Sequence, residues 1–261
     1  MDLQLKGKVV LVTGGSKGIG LACARLFAQE GAKVAIAARN PEGLETAVAK
    51  LAAEGLTIKG FSADLTVPAE AAALRESVQA ALGPIDVLVN SAGAAKRTPA
   101  EQLTAAHWHA AMEAKYFTYI HMMEAVLPGM AERRTGNIVN VVGVGGRVAS
   151  TFHLGGGAAN AALMLASTGL ANAYARHGIR INAVNPGTTE TDRYHARMEV
   201  EAAAAHVSKE EAMRALTDKM PMGRLALPEE VADMVVFLGS GRAAYVNGAV
   251  IAIDGAANPV P

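Results

Sequence analysis

Thr13-Gly14-Gly15-Ser16-Lys17-Gly18-Ile19-Gly20 decides the fold. It follows Lys8-Val9-Val10-Leu11-Val12-Thr13, a β-branched apolar run that reads as a buried strand. It precedes a helix-patterned segment, about residues 19–30, which stops at Gly31, a natural C-terminal cap position. Glycines between a strand and a helix permit a tight turn and a close approach of backbone to a pyrophosphate, and the helix N-terminus adds free N–H groups and a favourable dipole. A glycine-rich turn alone also fits a plain connection; its position between strand and helix favours a dinucleotide site.

Outward from this turn, strand and helix patterns alternate. Further strands are expected over residues 33–38, 57–63, 85–90, 137–142, 179–185 and 249–253. Helices are expected over residues 41–54, with Asn40 as N-cap and Pro41 in first position, and over 68–82, 99–114, 116–133, 158–177 and 228–238. Repeated strand–helix–strand units imply an α/β fold: a single-domain, Rossmann-like, doubly wound parallel sheet with helices on both faces, spanning residues 1–261. A polar, less regular stretch, 188–220, interrupts the alternation and is expected to act as a lid-like substrate insertion over the ligand crevice.

The composition excludes several function classes. Hydrophobic residues make up 51% of the 261, too many for disorder, and 24 basic against 24 acidic side chains leave no basic excess for nucleic acid or an anionic membrane. No apolar run is long enough to span a bilayer, and residues 1–7 carry no signal-peptide pattern, so a cytoplasmic setting is expected. The single cysteine, Cys23, excludes an intrachain disulfide and reads as a buried structural thiol on a small-residue helix face. His107, Trp108 and His109 share a helix without metal-site company, so no metal is assigned, and Met122, Met123 and Met130 read as packing.

Five motifs in order resemble those of the short-chain dehydrogenase/reductase (SDR) superfamily, including its 3-oxoacyl-ACP-reductase-like members, over nearly the whole chain. Residues 13–20 have the form Thr-Gly-x-x-x-Gly-x-Gly; Asp64, in Ala63-Asp64-Leu65, matches the family's adenine-contacting acid; Asn90-Ser91-Ala92-Gly93 is similar to Asn-Asn-Ala-Gly with one substitution. Asn185-Pro186-Gly187 matches the segment that lines the nicotinamide, and Asp254-Gly255 matches the family's tail. The resemblance implies cofactor contacts at Gly14, Ser16, Lys17, Gly18, Ile19, Gly20, Arg39, Asp64, Leu65, Asn90, Ala92, Gly93, Pro186 and Gly187. An NAD site usually has a carboxylate at the end of the second strand, whereas Ala37-Ala38-Arg39-Asn40 has none. Arg39 and Lys17 can instead hold a 2′-phosphate, so NADP is expected over NAD, although both also read as solvated surface cations.

The catalytic half departs from the family. The family's serine, tyrosine and lysine positions read Gly143, Gly156 and Asn160, and the asparagine of an earlier helix reads Lys115 when Trp108–Met112 is aligned with that helix. Shifting the alignment recovers nothing: Tyr174 is followed by Arg176 and His177, and Ser150 and Thr151 fall too late for the serine. One reading is an NADP(H)-dependent oxidoreductase acting on a carbonyl or alcohol substrate by a nonstandard acid/base arrangement at Lys115, Asn160 and His153. Lys115 then enters the pocket from the wall opposite the usual lysine; it reads equally as a surface or interface cation, and His153 also as a solvated loop histidine. The alternative is a noncatalytic dinucleotide-binding protein, a sensor or partner subunit, and a third is dehydration or isomerisation through Lys115. Gly155–Gly157 either start the long helix or vacate the volume of a tyrosine and enlarge the pocket, the second being favoured. The family's assemblies, with an alanine-rich helix and an apolar tail here, imply a homotetramer or a dimer.

Overall fold

The computed structural model describes residues 1–93 and 95–259, with the side chains of residues 197, 200 and 204 left aside. The chain alternates through β1 (Val9–Thr13), α1 (Gly18–Gln29), β2 (Lys33–Ala38), α2 (Pro41–Ala53), β3 (Ile58–Ser62), α3 (Pro68–Leu82) and β4 (Val87–Asn90). It continues through α4 (Ala105–Ala111), α5 (Thr118–Arg133), β5 (Gly136–Val141), α6 (Leu154–Tyr174), β6 (Ile179–Pro186), α7 (Asp192–Ala205), α8 (Lys209–Thr217), α9 (Pro228–Gly239) and β7 (Val250–Ile253). One seven-stranded sheet, ordered β3-β2-β1-β4-β5-β6-β7 and parallel throughout, makes this a single Rossmann-like α/β domain.

Strand pleating divides the core in two. Val10 and Val12 of β1 face α1 and α9, where Cys23, Phe27, Val231 and Val235 are buried, while Val9 and Leu11 face α3, α5 and α6. Leu74, Tyr119, Met122, Met123, Met130 and Leu163 fill that second layer. Cys23 is fully buried, and burial pushes its thiol far above the usual range, as befits a packing residue. No helix among the described residues is long and apolar enough to cross a membrane.

Three regions differ from the sequence expectation. The break expected between residues 114 and 116 is absent: α4 and α5 are joined through a π-helical turn, Met112–Phe117, that contains Lys115. The wider turn shifts hydrogen-bond phase without ending the helix, and the Thr118 hydroxyl donates to the Lys115 carbonyl at 2.9 Å. The long sixth helix begins at Leu154 rather than 158, so Gly155–Gly157 lie within its first turn. The stretch 188–220 is largely helical, because Thr191 accepts from the Tyr194 N–H to cap α7 and Ser208 and Glu211 form a capping box on α8. Buried Tyr194, Met198 and Leu225 pin this unit down.

Candidate active site

The strand order reverses between β1 and β4, where β1 runs on to β2 and β3 on one side and β4 to β7 extend on the other. A crevice therefore opens beyond the carboxyl ends of these strands. It has two confluent lobes of about 540 and 520 Å³, within the range of small-molecule sites.

The outer end of the first lobe is built largely of backbone, and its inner end shares Arg97, Lys115, His153, Asn160 and Arg193 with the second. Gly14, Ser16, Lys17, Gly18, Ile19 and Gly20 form one wall, with Ala92, Gly93, Pro186 and Gly187 opposite. The turn is pinned by the Gly14 N–H, which donates to Ala37 O at 2.7 Å. The Thr13 hydroxyl accepts from the Ser91 and Ala92 N–H groups, each at 3.2 Å, and so ties the loop after β4 to β1. Gly14 has φ +68°, and a Cβ there would lie 2.7 Å from Ser91 O. Gly93, at φ +100°, lets the β4 loop press on the Ala114 carbonyl and the π-helical turn behind it.

Four sequence-expected contacts stand apart from these walls. Asn90 is fully buried, and its amide donates to Asn140 Oδ1 at 3.0 Å; Asn140 in turn donates to Ser167 at 2.8 Å. Asn90 thus braces β4, β5 and α6 beneath the crevice instead of facing it. Arg39, Asp64 and Leu65 follow the carboxyl ends of β2 and β3, outside both lobes. The Thr66 N–H and hydroxyl, aided by nearby Arg39, hold the Asp64 carboxyl below its usual range. Arg39 and Lys17 are both exposed.

The second lobe is built of side chains. Lys115, only 9% exposed, lines both lobes, so the surface-cation reading fails. Its Nζ donates to the Tyr119 hydroxyl at 2.8 Å and to Val141 O at 3.0 Å, while the Tyr119 hydroxyl also donates to Val141 O at 2.6 Å. An ammonium keeps one further proton in this arrangement, and an amine keeps its lone pair. Burial, with Arg193 nearby, pulls the Lys115 pKa down to about 7.

His153 is the residue before α6 and is half-buried rather than a solvated loop residue. Its ring occupies the space that a Cβ on Gly156 would need. The expected enlargement of the pocket at Gly156 is therefore corrected: the imidazole fills the vacated volume. Gly155 and Gly157 also make close contacts, since Cβ atoms there would lie 2.9 Å from Ala111 Cβ and 2.7 Å from Gly145 O. Burial, then Arg97, Lys115 and Arg193, hold the His153 pKa below its usual value. Asn160, 5% exposed, points its amide nitrogen towards Gly143, within 3.3 Å of where a Cβ would stand. His153 Nδ1 and Asn160 Oδ1 are buried without a hydrogen-bond partner in the protein.

Sequence reasoning missed Arg97, Thr189, Thr191 and Arg193 in this lobe and Asn258 in the first. Only Thr191 carried a readable signal, as an N-cap ahead of a helix. The two arginines reach the crevice through loop and insertion geometry that no residue spacing announces.

Residues 8–218 match the family described as short chain dehydrogenase, and the chain belongs to that family. It is 35% identical to the D-threitol dehydrogenase of Mycolicibacterium smegmatis, over 97% of this chain and 94% of the relative. It is 36% identical to 2-(S)-hydroxypropyl-CoM dehydrogenase 3 of Xanthobacter autotrophicus, over 98% of each. Among solved structures, L-sorbose reductase from Gluconobacter frateurii complexed with NADPH and L-sorbose superposes with TM-score 0.94 at 30% identity, covering 100% of both chains. A variant of actinorhodin polyketide ketoreductase with NADPH superposes with TM-score 0.93 at 33% identity, covering 100% of this chain and 99% of the other.

Proposed function

We propose that this protein is an NADP(H)-dependent oxidoreductase that interconverts a carbonyl and an alcohol, with Lys115 as its proton-exchanging group. The observation that carries the proposal is the buried Lys115 amine, with a pKa of about 7, in the wall shared by both lobes. The NADPH held by two structural neighbours and the crevice at the strand reversal support the cofactor assignment. In this reading the backbone at Gly14–Gly20 holds the pyrophosphate, Arg39 and Lys17 take the 2′-phosphate, and Asp64 and Leu65 meet the adenine. Ala92, Gly93, Pro186 and Gly187 flank the nicotinamide, and Asn90 supports them from below.

The bound cofactor supplies or accepts hydride, and the protein moves the proton. In reduction, the Lys115 ammonium gives its spare proton to the carbonyl oxygen; in oxidation, the amine removes it from the alcohol. Tyr119 and Val141 O fix the amine's position. Asn160 offers its amide to the substrate oxygen beside Gly143, and His153 closes the wall over Gly156 and serves as a second proton carrier. Gly143, Gly156 and Asn160 thus stand where the family's usual catalytic side chains are replaced, and Lys115 takes over their proton chemistry from the opposite wall. The two-helix unit over 188–220 acts as the substrate lid.

A homotetramer or dimer and a cytoplasmic setting complete the reading. Leu165 on α6, 77% exposed, and fully exposed Tyr245 offer apolar surface for association. Sedimentation at the monomer mass would count against assembly.

The test pairs NADPH and NADH binding, followed by fluorescence, with NADPH oxidation across a panel of ketones and aldehydes. Tighter NADPH binding and turnover that Lys115→Met sharply lowers support the reading. Tight NADPH binding without turnover would favour a noncatalytic binder, and no NADPH binding would end the cofactor assignment.

A further inference from the structure

The second lobe gathers positive charge. Arg97, Lys115 and Arg193 line it together with His153, and no Asp or Glu lines it among the described residues. The same four residues also line the adjoining lobe, where Asp192, in the first turn of α7, is the one lining carboxylate among the described residues.

These cations come from three separate segments, each held in place. The Thr98 N–H donates to Phe152 O at 3.2 Å, which fastens the Arg97 segment to the loop that carries His153. Lys115 projects from the π-helical turn between α4 and α5. Arg193 sits in the first turn of α7, fixed by the Thr191 cap and by buried Tyr194 and Met198. They are near enough to act on one another: Arg193 lowers the pKa of Lys115, and all three lower that of His153. Arg97 and Arg193 are exposed, and the summed positive potential along this wall attracts an anion.

Gly14 and residues 16–20 line the first lobe and not this one, so an anion seated here lies beyond the pyrophosphate turn. We infer that the substrate itself is anionic: an oxo acid or the corresponding hydroxy acid. Its carboxylate lies against Arg97 and Arg193 at the mouth, and its carbonyl or hydroxyl faces Lys115. Guanidinium groups suit a carboxylate because their paired N–H donors match its two oxygens. The carboxylate takes no part in the redox step and serves to position the carbon beside the nicotinamide. The inference rests on the redox reading above and extends it from reaction type to substrate class.

The test uses three matched pairs that vary the spacing between carbonyl and carboxylate: pyruvate, acetoacetate and levulinate, each beside its methyl ester. Each is titrated calorimetrically into the NADP-loaded protein and assayed for NADPH oxidation. At least one acid is expected to bind about tenfold more tightly than its ester, with the preference shrinking as salt rises. Arg193→Met and Arg97→Met should each reduce that preference about tenfold and leave NADPH affinity unchanged. Equal binding of acid and ester, preference for the esters, or no acid binding at millimolar concentration would overturn the anionic substrate, even where the esters are reduced and the redox reading survives. Loss of NADPH affinity in the arginine variants, with the acid preference intact, would also overturn it and assign these cations to the cofactor.

Discussion

The two ends of the crevice are built from different materials. At Gly14–Gly20 the binding surface is mainly backbone: a turn pinned to Ala37, with the loop after β4 held close by Thr13. At Lys115, His153 and Asn160 the surface is side chain, gathered from a π-helical turn, a helix start and the face of a long helix. A backbone site requires glycines at fixed spacing, so it leaves a recognisable string in the sequence. A side-chain site can be rebuilt by exchanging residues between walls, and its geometry then depends on packing.

The largest expected effect tests the side-chain end alone. Lys115→Met should lower turnover about 10²- to 10⁴-fold, the usual cost of losing a positioned acid or base. NADPH affinity should change little, because the backbone end is untouched. A parallel loss of both would mean that the two ends are not separable.

The next effect probes a side-chain contact at the backbone end. Arg39→Asp should shift the NADPH/NADH affinity ratio towards NADH by about 10- to 100-fold, as a charge-assisted phosphate contact becomes a repulsive one. An unchanged ratio in competition binding would remove Arg39 from the site.

Gly156→Ala sharpens the comparison from the opposite direction. The added methyl meets the His153 ring, so the imidazole must move. Overpacking of this kind should cost about 1–3 kcal/mol in denaturant unfolding and lower turnover. Full stability would show that the ring does not rest on Gly156.

The smallest effect concerns stability against pH. Folding lowers the Lys115 pKa from 10.5 to about 7, so the unfolded chain binds the extra proton between those values. The penalty of burying the ammonium is fully present below pH 7 and is relieved as pH rises towards 10.5. Lys115→Met should therefore gain more melting temperature over the parent at pH 6 than at pH 9. A difference independent of pH would mean that the lysine titrates normally in the folded protein.

The same division explains what the sequence could convey. Strand runs such as Val9–Thr13 and Lys33–Ala38, and the Asn40–Pro41 helix start, are local signals and read correctly. The π-helical turn at Lys115 read as a break between two helices, because a wider turn shifts the phase of the helical pattern without ending the helix. Lys115 was nameable from its aligned position, but its burial depends on β5, whose Val141 carbonyl accepts its hydrogen bond. The seat of His153 on Gly156 joins neighbours three residues apart through the helix start, which was expected four residues later. Arg97 and Arg193 carry no motif, and only the fold brings them to the crevice.

The central claim is that Lys115 is a buried amine that titrates near neutrality. The direct measurement is its side-chain Cε resonance in lysine-labelled protein, assigned by its absence in Lys115→Met and followed against pH. A midpoint near pH 7 is predicted, with NADPH-driven reduction falling and alcohol oxidation rising through the same range. A midpoint in the ordinary lysine range, above about pH 10, would contradict the account.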